Sequence, residues 1–370
     1  MANGTTAGAA TDLATSNAIL LSPREWLMAA LIVAVFVIAA PRVWPSMQPF
    51  NPSVDYRIPF EFSEDYGLYR RLVDDCIDHD RLLLIGDSVI WGEYVTAEQS
   101  LSHYLNAQVG SPQFVNGGVN GTHPLALEGL VRDYAGGLSD RSVIVHCNLL
   151  WMSSPERDLQ TDEAVEFNHP RLIPQLIPRV PAYQASADAR MGILFDRCLA
   201  YRDLVEHLRI SCFDSLDPYP WSLEHPDENP FTNFPPAAPT PSATLRHRPV
   251  SWTEQGIPMQ EFPWVDLDGS LQWQAFCRTI ELLEQRGNRV FVIVGPFNEH
   301  LLSAESRQSY RRLKSGVKEW LQAQGAAHFV PEALPSEEYA DASHPLSSGY
   351  ERLAEQLLSE AAFQQWLEER

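Results

Sequence analysis

The amino-acid sequence predicts an α/β fold: a three-layer sandwich around a mostly parallel five-stranded sheet, with one long insertion and one N-terminal transmembrane helix. Three observations lead to this prediction. Short apolar runs that end in glycine or a small polar residue alternate with stretches of helical character, as expected for buried parallel strands joined by helices. A stretch rich in proline and tryptophan, at about 153–267, interrupts the alternation. An unbroken apolar run at 26–40 precedes the first predicted strand.

The apolar run at 26–40 is the candidate membrane segment. It is shorter than the ~20 residues that cross a bilayer core. However, Arg24 and Arg42 flank it and tryptophans lie near both ends, and snorkelling arginines with an aromatic belt extend such a segment. We therefore predict one uncleaved spanning helix. A buried core helix and a cleaved signal peptide are the other interpretations, although Pro41, directly after two small residues, argues against cleavage.

These features divide the chain into a tail, an anchor, a linker and a body. The predicted parts are a polar tail over 1–24, a transmembrane anchor over 25–44, a proline-rich linker over 45–65 and a body over 66–370 with its insertion at about 153–267. The prolines of the linker indicate a stalk. The flanking arginines balance each other, so we assign the default orientation for such an anchor, with the body in the periplasm or outside the cell.

The body alternates predicted strands and helices. Predicted strands begin at residues 81, 114, 142, 289 and 328, and predicted helices cover 97–109, 125–134, 271–285, 304–324 and 347–367. Such an order predicts a parallel sheet that is covered on both faces, with ligands beyond the carboxyl ends of the strands. Because the insertion lacks this rhythm and clusters its prolines, we expect irregular surface or a lid over the substrate there.

Composition excludes several classes of function. The net charge of -21 and the pI of about 4.8 repel nucleic acid and weakly disfavour a strongly anionic polymer as substrate. None of the five cysteines forms a C-x-x-C pair, and the sequence has no H-E-x-x-H, no phosphate-binding loop and no dinucleotide fingerprint. We therefore predict no metal, nucleotide or flavin cofactor.

Two short motifs at opposite ends of the body point to a serine nucleophile. Gly86-Asp87-Ser88 follows the first predicted strand, and Asp341 precedes His344 just before the last helix. A catalytic serine requires an imidazole to take its proton and a carboxylate to orient that imidazole. Each motif alone is also an ordinary turn or helix cap. Their joint appearance favours a Ser88–His344–Asp341 triad.

The same residues carry a resemblance to a known family. The segment LLLIGDSVIWGE at 82–93, the glycine-rich 116–121, Asn148 at the end of the third strand, and Asp341 with His344 and Pro345 are similar to four sequence blocks of the SGNH, or GDSL-type, serine hydrolases. The resemblance covers roughly 80–150 and 289–358. It implies a flavodoxin-like three-layer sandwich, and an oxyanion hole made by the Ser88 and Gly121 N–H groups and the Asn148 amide.

The third block departs from the family. It usually reads Gly-x-Asn-Asp, whereas this chain has His146-Cys147-Asn148-Leu149, so the glycine and the aspartate are absent. Asn148 therefore has a second interpretation, as a polar residue that closes a strand.

Further residues near the predicted site are candidates for substrate contact. Asn298 and His300 follow the fourth strand, where a solvated loop is the alternative. Trp91, Trp151 and Trp221 could form an aromatic wall for sugar or acyl groups, and core packing is the alternative for each.

The resemblance implies a membrane-anchored serine esterase that removes acyl groups, with O-acetyl groups of a cell-surface glycan as the leading substrate and lipid or small esters next. An O-acyltransferase of the envelope polysaccharide machinery, using the same triad, is the alternative. A second alternative is a non-catalytic glycan-binding or scaffold protein of an envelope complex, which the altered third block keeps open.

Overall fold

The computed structural model describes residues 21–165, 167–197 and 199–370. Most of the predicted polar tail, 1–20, lies outside the described residues. The strands are β1 (Leu82–Gly86), β2 (Phe114–Gly118), β3 (Ser142–Cys147), β4 (Arg289–Val294) and β5 (Ala327–Phe329). The α-helices among the described residues are α1 (Pro23–Met47), α2 (Tyr66–Asp78), α3 (Ser88–Trp91), α4 (Leu101–Val109), α5 (Pro124–Tyr134), α6 (Ala187–Arg197), α7 (Ala200–Phe213), α8 (Pro218–Glu224), α9 (Leu271–Gln285), α10 (Ala304–Gln324), α11 (Ser347–Ser359) and α12 (Ala361–Glu368).

The five strands form one parallel sheet in the order β2-β1-β3-β4-β5. The chain runs outward from β1 to β2 and then crosses to β3 on the other side of β1, so the strand order reverses between β1 and β3. In open parallel sheets, ligands bind at the carboxyl ends of the strands at such a reversal. The predicted fold class is confirmed, and all five predicted strands are present.

Helices cover both faces of the sheet, and the alternation of side chains along β1 shows why. Leu83 and Ile85 belong to a core with α2, α5, α9 and α10, whereas Leu82 and Leu84 belong to a core with α4, α11 and α12. Successive residues of a strand point to opposite faces, so a continuous apolar run is required to bury both.

Three differences from the predicted elements have physical causes. The sequence analysis did not identify α2, whose N-cap Asp65 accepts a hydrogen bond from the Leu68 N–H at 2.9 Å. The single helix predicted for 347–367 is two helices with a break at Glu360. The insertion contains α6, α7 and α8, and α6 buries none of its side chains.

The N-terminal helix is longer than predicted. α1 extends to Met47 and is long and apolar enough to cross a membrane, with a mean hydropathy of 2.2 over its most apolar window. None of that window is buried against the body, which argues against a core helix.

The linker after α1 folds onto the body instead of standing free as a stalk. Tyr56 and Ile58 are buried in the core. Arg57 donates hydrogen bonds to the carbonyl oxygens of Trp91 at 2.8 Å and Val95 at 2.8 Å, and its guanidinium lies 4.0 Å from the centre of the Trp91 ring. The linker therefore supports the turn that follows β1.

That turn also rests on the end of β2. A Cβ atom added to Gly118 would lie 2.3 Å from the backbone nitrogen of Trp91 and 2.8 Å from the carbonyl carbon of Ile90. Only glycine allows the two backbones to approach so closely. The position of Ser88 thus depends on a glycine in the neighbouring strand.

We expect Gly118→Ala to lower stability by about 1–3 kcal/mol, because backbone atoms must shift to admit the methyl group. Gly136→Ala is the matched control, since a Cβ there meets nothing within 4 Å. Thermal unfolding of the full chain in detergent measures both. Equal melting temperatures for the two variants would show that the close approach at Gly118 is not a constraint.

Candidate active site

The three predicted catalytic side chains meet at the carboxyl ends of the strands. Ser88 is the first residue of α3, directly after β1. Its Oγ lies 2.8 Å from Nε2 of His344. Nδ1 of the same imidazole lies 2.8 Å from Oδ2 and 2.9 Å from Oδ1 of Asp341. The sequence places Ser88 and His344 256 residues apart, so the fold alone brings them together.

The loop that carries Asp341 and His344 is tied at several points. Oδ1 of Asp341 accepts the N–H groups of Ser343 and His344, both at 2.9 Å. Asn298, which follows β4, donates from its side chain to the Asp341 carbonyl at 3.0 Å and from its backbone to the Ala342 carbonyl at 2.9 Å. Because Asn298 is fully buried, it supports this loop and has no surface for a substrate.

The charges around His344 favour its protonated form. Burial alone lowers the pKa of an imidazole, but the attraction and hydrogen bond of Asp341, together with the charges of Asp87 and Glu93, raise the pKa of His344 above its ordinary value. Burial would raise the pKa of Asp341, yet His344 and the two loop N–H groups lower it to about 2. Asp341 is therefore ionised at neutral pH and able to orient the imidazole.

Three donors are available for an oxyanion. The backbone N–H groups of Ser88 and Gly121 make no hydrogen bond to any part of the chain that the structure describes. Asn148 follows β3, which is paired with β1, and its side chain is fixed at both ends. Nδ2 donates to Oδ2 of Asp87 at 2.7 Å, and Oδ1 accepts the Leu150 N–H at 3.0 Å. The amide has a second hydrogen on Nδ2, which is left for an oxyanion.

Asp87, the residue before Ser88, binds several side chains that lie next to these donors. It is 5% exposed. Trp151 donates from Nε1 to its Oδ2 at 2.9 Å, and Nδ1 of His146 lies 3.3 Å from its Oδ1. Burial would raise the pKa of Asp87, but His146 above all, and then Asn148 and Trp151, lower it to about 2.

His146 stands where the resembled family has glycine, and both of its ring nitrogens face oxygen. Nε2 lies 3.0 Å from the carbonyl oxygen of Gly295, and Nδ1 faces Asp87. The departure in the third block therefore brings an imidazole nitrogen close to the carboxylate of Asp87, the residue beside the nucleophile.

The remaining predicted contact residues are dispersed. Trp91 is 3% exposed and donates to the Ile58 carbonyl at 2.7 Å. His300 is exposed, and its Nε2 lies 3.0 Å from the Leu334 carbonyl. Trp221 packs on Phe213 in the insertion. No ring contact joins Trp91, Trp151 and Trp221, so the three do not form one aromatic wall, and Trp151 alone reaches Asp87.

The insertion reaches the site from the side of the nucleophile. The Tyr94 ring centre lies 5.7 Å from that of His344 and 5.2 Å from that of His247. Nε2 of His247 and Nη1 of Arg246 both lie 2.8 Å from Oε1 of Glu93. The sequence analysis missed these residues, because nothing near 246 signals a partner 153 residues away.

A second part of the insertion lies against Gly121, the glycine predicted for the oxyanion hole. A Cβ on Gly121 would lie 3.1 Å from Nδ2 of Asn168. The next residue, His169, has Nε2 2.8 Å from the Asn120 carbonyl and Nδ1 3.0 Å from the Tyr66 hydroxyl. The predicted lid thus has contacts on two sides of Ser88, and its covering role stays a prediction.

A pocket of about 430 Å³ opens beside Gly121. Its lining combines the aromatic ring of Phe60 with the carboxylates of Glu61, Glu64 and Glu206. Arg209 also lines it, but its guanidinium donates to Glu206 at 2.6 Å. The pocket is therefore net acidic and rich in hydrogen-bond acceptors.

No family model matches the chain, and no curated protein matches it.

The raised pKa of His344 sets the expected pH dependence of Ser88 reactivity. His344 accepts a proton only when neutral, so reactivity should increase with pH through a pKa above the ~6.5 of free histidine. Asp341→Asn removes the largest favourable charge, so the midpoint should move to lower pH and the plateau rate should fall. The measurement is the rate at which a fluorophosphonate labels Ser88 between about pH 5 and 8.

Asp78→Asn, an exposed change on α2, is the control for the loss of a carboxylate. An Asp341→Asn midpoint equal to that of Asp78→Asn would contradict the assigned coupling.

We expect Asn148→Ala to lower the turnover rate by roughly 10²–10³-fold with little change in KM, as for loss of one oxyanion donor. Trp151→Phe is the matched control, because it removes the other donor to the same Asp87 oxygen but no oxyanion donor. Equal losses in the two variants would mean that Asn148 serves only to hold Asp87.

Proposed function

We propose that this chain is a membrane-anchored serine esterase that removes ester-linked acyl groups, above all O-acetyl groups, from an extracytoplasmic glycan. The observation that carries the proposal is the continuous line of contacts from Ser88 Oγ through His344 to Asp341, with distances of 2.8 Å at each step. The unpaired backbone N–H groups of Ser88 and Gly121, which follow the carboxyl ends of β1 and β2, support it.

In the proposed mechanism His344 takes the proton of Ser88 as Oγ attacks the ester carbonyl carbon. The carbonyl oxygen becomes an oxyanion, which accepts hydrogen bonds from the Ser88 and Gly121 N–H groups and from Asn148. His344 then gives its proton to the departing alkoxide, and the acyl group remains on Ser88. Water, deprotonated by His344, attacks the acyl-enzyme. The acid is released, and His344 returns the proton to Ser88 Oγ.

The pocket beside Gly121 supports a hydroxyl-rich substrate. Its volume of about 430 Å³ falls within the range of small-molecule sites and greatly exceeds that of an acetyl group. Carboxylates such as Glu61 and Glu64 accept hydrogen bonds from sugar hydroxyls, and Phe60 offers a face for a sugar ring. Because the lining is net acidic, a neutral or amine-bearing glycan suits it better than a polyanionic one.

The anchor supports the location of this activity. α1 is long and apolar enough to cross a membrane, and the default orientation of such an anchor puts the body in the periplasm or outside the cell. A glycan of the cell envelope is present in that compartment. The proposal therefore places the protein with envelope polysaccharide machinery.

The same acyl-enzyme would serve an O-acyltransferase. In that alternative the pocket beside Gly121 holds the acceptor sugar, whose hydroxyl replaces water in the second step. The carboxylates that line the pocket, such as those of Glu61 and Glu64, favour this alternative over hydrolysis of a lipid ester, which calls for an apolar site.

We expect a fluorophosphonate probe to label the full chain and to lose all labelling in Ser88→Ala. Ser315→Ala is the matched control, because Ser315 is exposed on α10 and should leave labelling unchanged. Gel fluorescence of folded protein in detergent measures both. Absence of Ser88-dependent labelling would overturn the enzymatic proposal and leave the non-catalytic glycan-binding alternative.

An acyl donor then separates the two activities. The assay follows acetate release from 4-nitrophenyl acetate, with and without an added oligosaccharide. For an esterase, the oligosaccharide leaves the rate of acetate release unchanged. A transferase forms acetylated oligosaccharide, detected by mass spectrometry, at the expense of acetate release.

A further inference from the structure

Exposed apolar side chains concentrate in one part of the insertion. Outside α1, the exposed large hydrophobic residues in the described ranges are Leu176, Ile177, Met191, Phe195, Leu199, Tyr219, Leu223, Phe231 and Phe234, with Val54, Val109 and Met259 elsewhere. All but three therefore lie between 176 and 234. Soluble surfaces rarely gather apolar side chains in this way, and such patches mark protein or membrane contacts.

Three of these side chains form what we call the apolar corner: Met191, Phe195 and Leu199. Met191 and Phe195 are four residues apart in α6 and so share one face of the helix, and Leu199 follows at the corner that leads into α7. Their exposed fractions are 44%, 67% and 46%.

The apolar corner lies beside the candidate membrane helix. α7, which begins next to Leu199, packs along α1 in the same direction. The Phe36 and Tyr201 ring centres are 5.9 Å apart, and those of Trp44 and His207 are 5.6 Å apart. Because Tyr201 is near the start of α7, the apolar corner lies near the level of Phe36.

The sequence of α1 indicates how deep Phe36 would lie in a membrane. The charges of Arg24 and Glu25 keep the start of the helix at the water boundary, so the apolar run begins at Trp26. The apolar run ends at Ala40, and the charge of Arg42 keeps the far boundary near that residue. Phe36 lies six residues before Arg42, roughly 9 Å along the helix axis, and so just inside that boundary.

The other end of the α1–α7 contact has the composition of a membrane interface. Trp44 packs on Phe234, with ring centres 5.8 Å apart, and Phe234 packs on Phe231. Both phenylalanines are exposed. Tryptophan near the end of a spanning helix occupies the headgroup level of a bilayer, which places Trp44 and the phenylalanines packed beside it at that level.

We propose that the apolar corner is inserted in the lipid bilayer beside α1, so that the insertion is a second, interfacial membrane contact of the protein. The proposal rests on α1 as a spanning helix and is independent of the proposed esterase activity. The occupant is lipid because the corner continues the surface of α1 at a depth that the bilayer must fill. Two charged side chains at the start of α7 are paired, Arg202 with Asp196 at 2.9 Å and Asp203 with Arg70 at 3.2 Å.

The test places a nitroxide at the corner in the full chain. Phe195 is replaced by p-acetylphenylalanine, a near-isosteric residue that carries the spin label without use of cysteine, and the protein is reconstituted in phosphatidylcholine–phosphatidylglycerol vesicles. Val109, exposed at the end of α4 on the opposite side of the sheet, is the matched water control. Val33 in α1 is the lipid control. Power saturation compares collisions with oxygen and with a water-soluble nickel chelate.

We expect the ratio of oxygen to nickel accessibility at 195 to resemble that at 33 and to exceed that at 109 several-fold. A ratio at 195 equal to that at 109, with 33 in lipid, would overturn the proposal. Spin–spin broadening at 195 with protection from both reagents would overturn it in favour of a second copy of the chain. Water accessibility at both 33 and 195 would overturn the proposal together with the spanning role of α1.

Discussion

The carboxylate of Asp87 is the interaction on which the site depends. A buried charge is costly unless it is paired and hydrogen-bonded. Because loss of any partner would leave the Asp87 carboxylate undercompensated, those partners are held in place. Those partners come from the carboxyl end of β3 and from the segment after it: His146, Asn148 and Trp151. Asp87 therefore joins the turn that carries Ser88 to the end of β3. It also fixes the side-chain amide of Asn148, which would face an oxyanion.

Local sequence was sufficient to predict the sheet and to single out the two motifs that meet at its carboxyl edge. Each strand is a contiguous apolar run, and Ser88, Asp341 and His344 belong to short motifs whose backbone geometry is set by near neighbours. The partners of Asp87 could not be predicted in this way. His146 and Trp151 acquire their roles only from the parallel pairing of β1 with β3, and the departure of His146 from the resembled family gave no indication that it would face a carboxylate.

The insertion was the least predictable region for the same reason. Its helices α6, α7 and α8 contribute little to either core, so the usual link between apolar periodicity and burial is weak there. Asn168 near Gly121 and His247 near Glu93 depend on contacts across long stretches of chain, which no local pattern encodes. The candidate membrane helix, in contrast, was apparent from composition, although its extension to Met47 and its packing on α7 were not.

The junction between α1 and the body is clamped. Gln48 lies 3.0 Å from His207 of α7 and accepts a hydrogen bond from Arg71 of α2 at 2.7 Å, and α7 continues to Arg209 at the edge of the pocket beside Gly121. These contacts leave no flexible tether between α1 and the body, so the body cannot turn freely about the end of α1. If α1 crosses a membrane as proposed, Ser88 stays at one fixed height above the lipid surface.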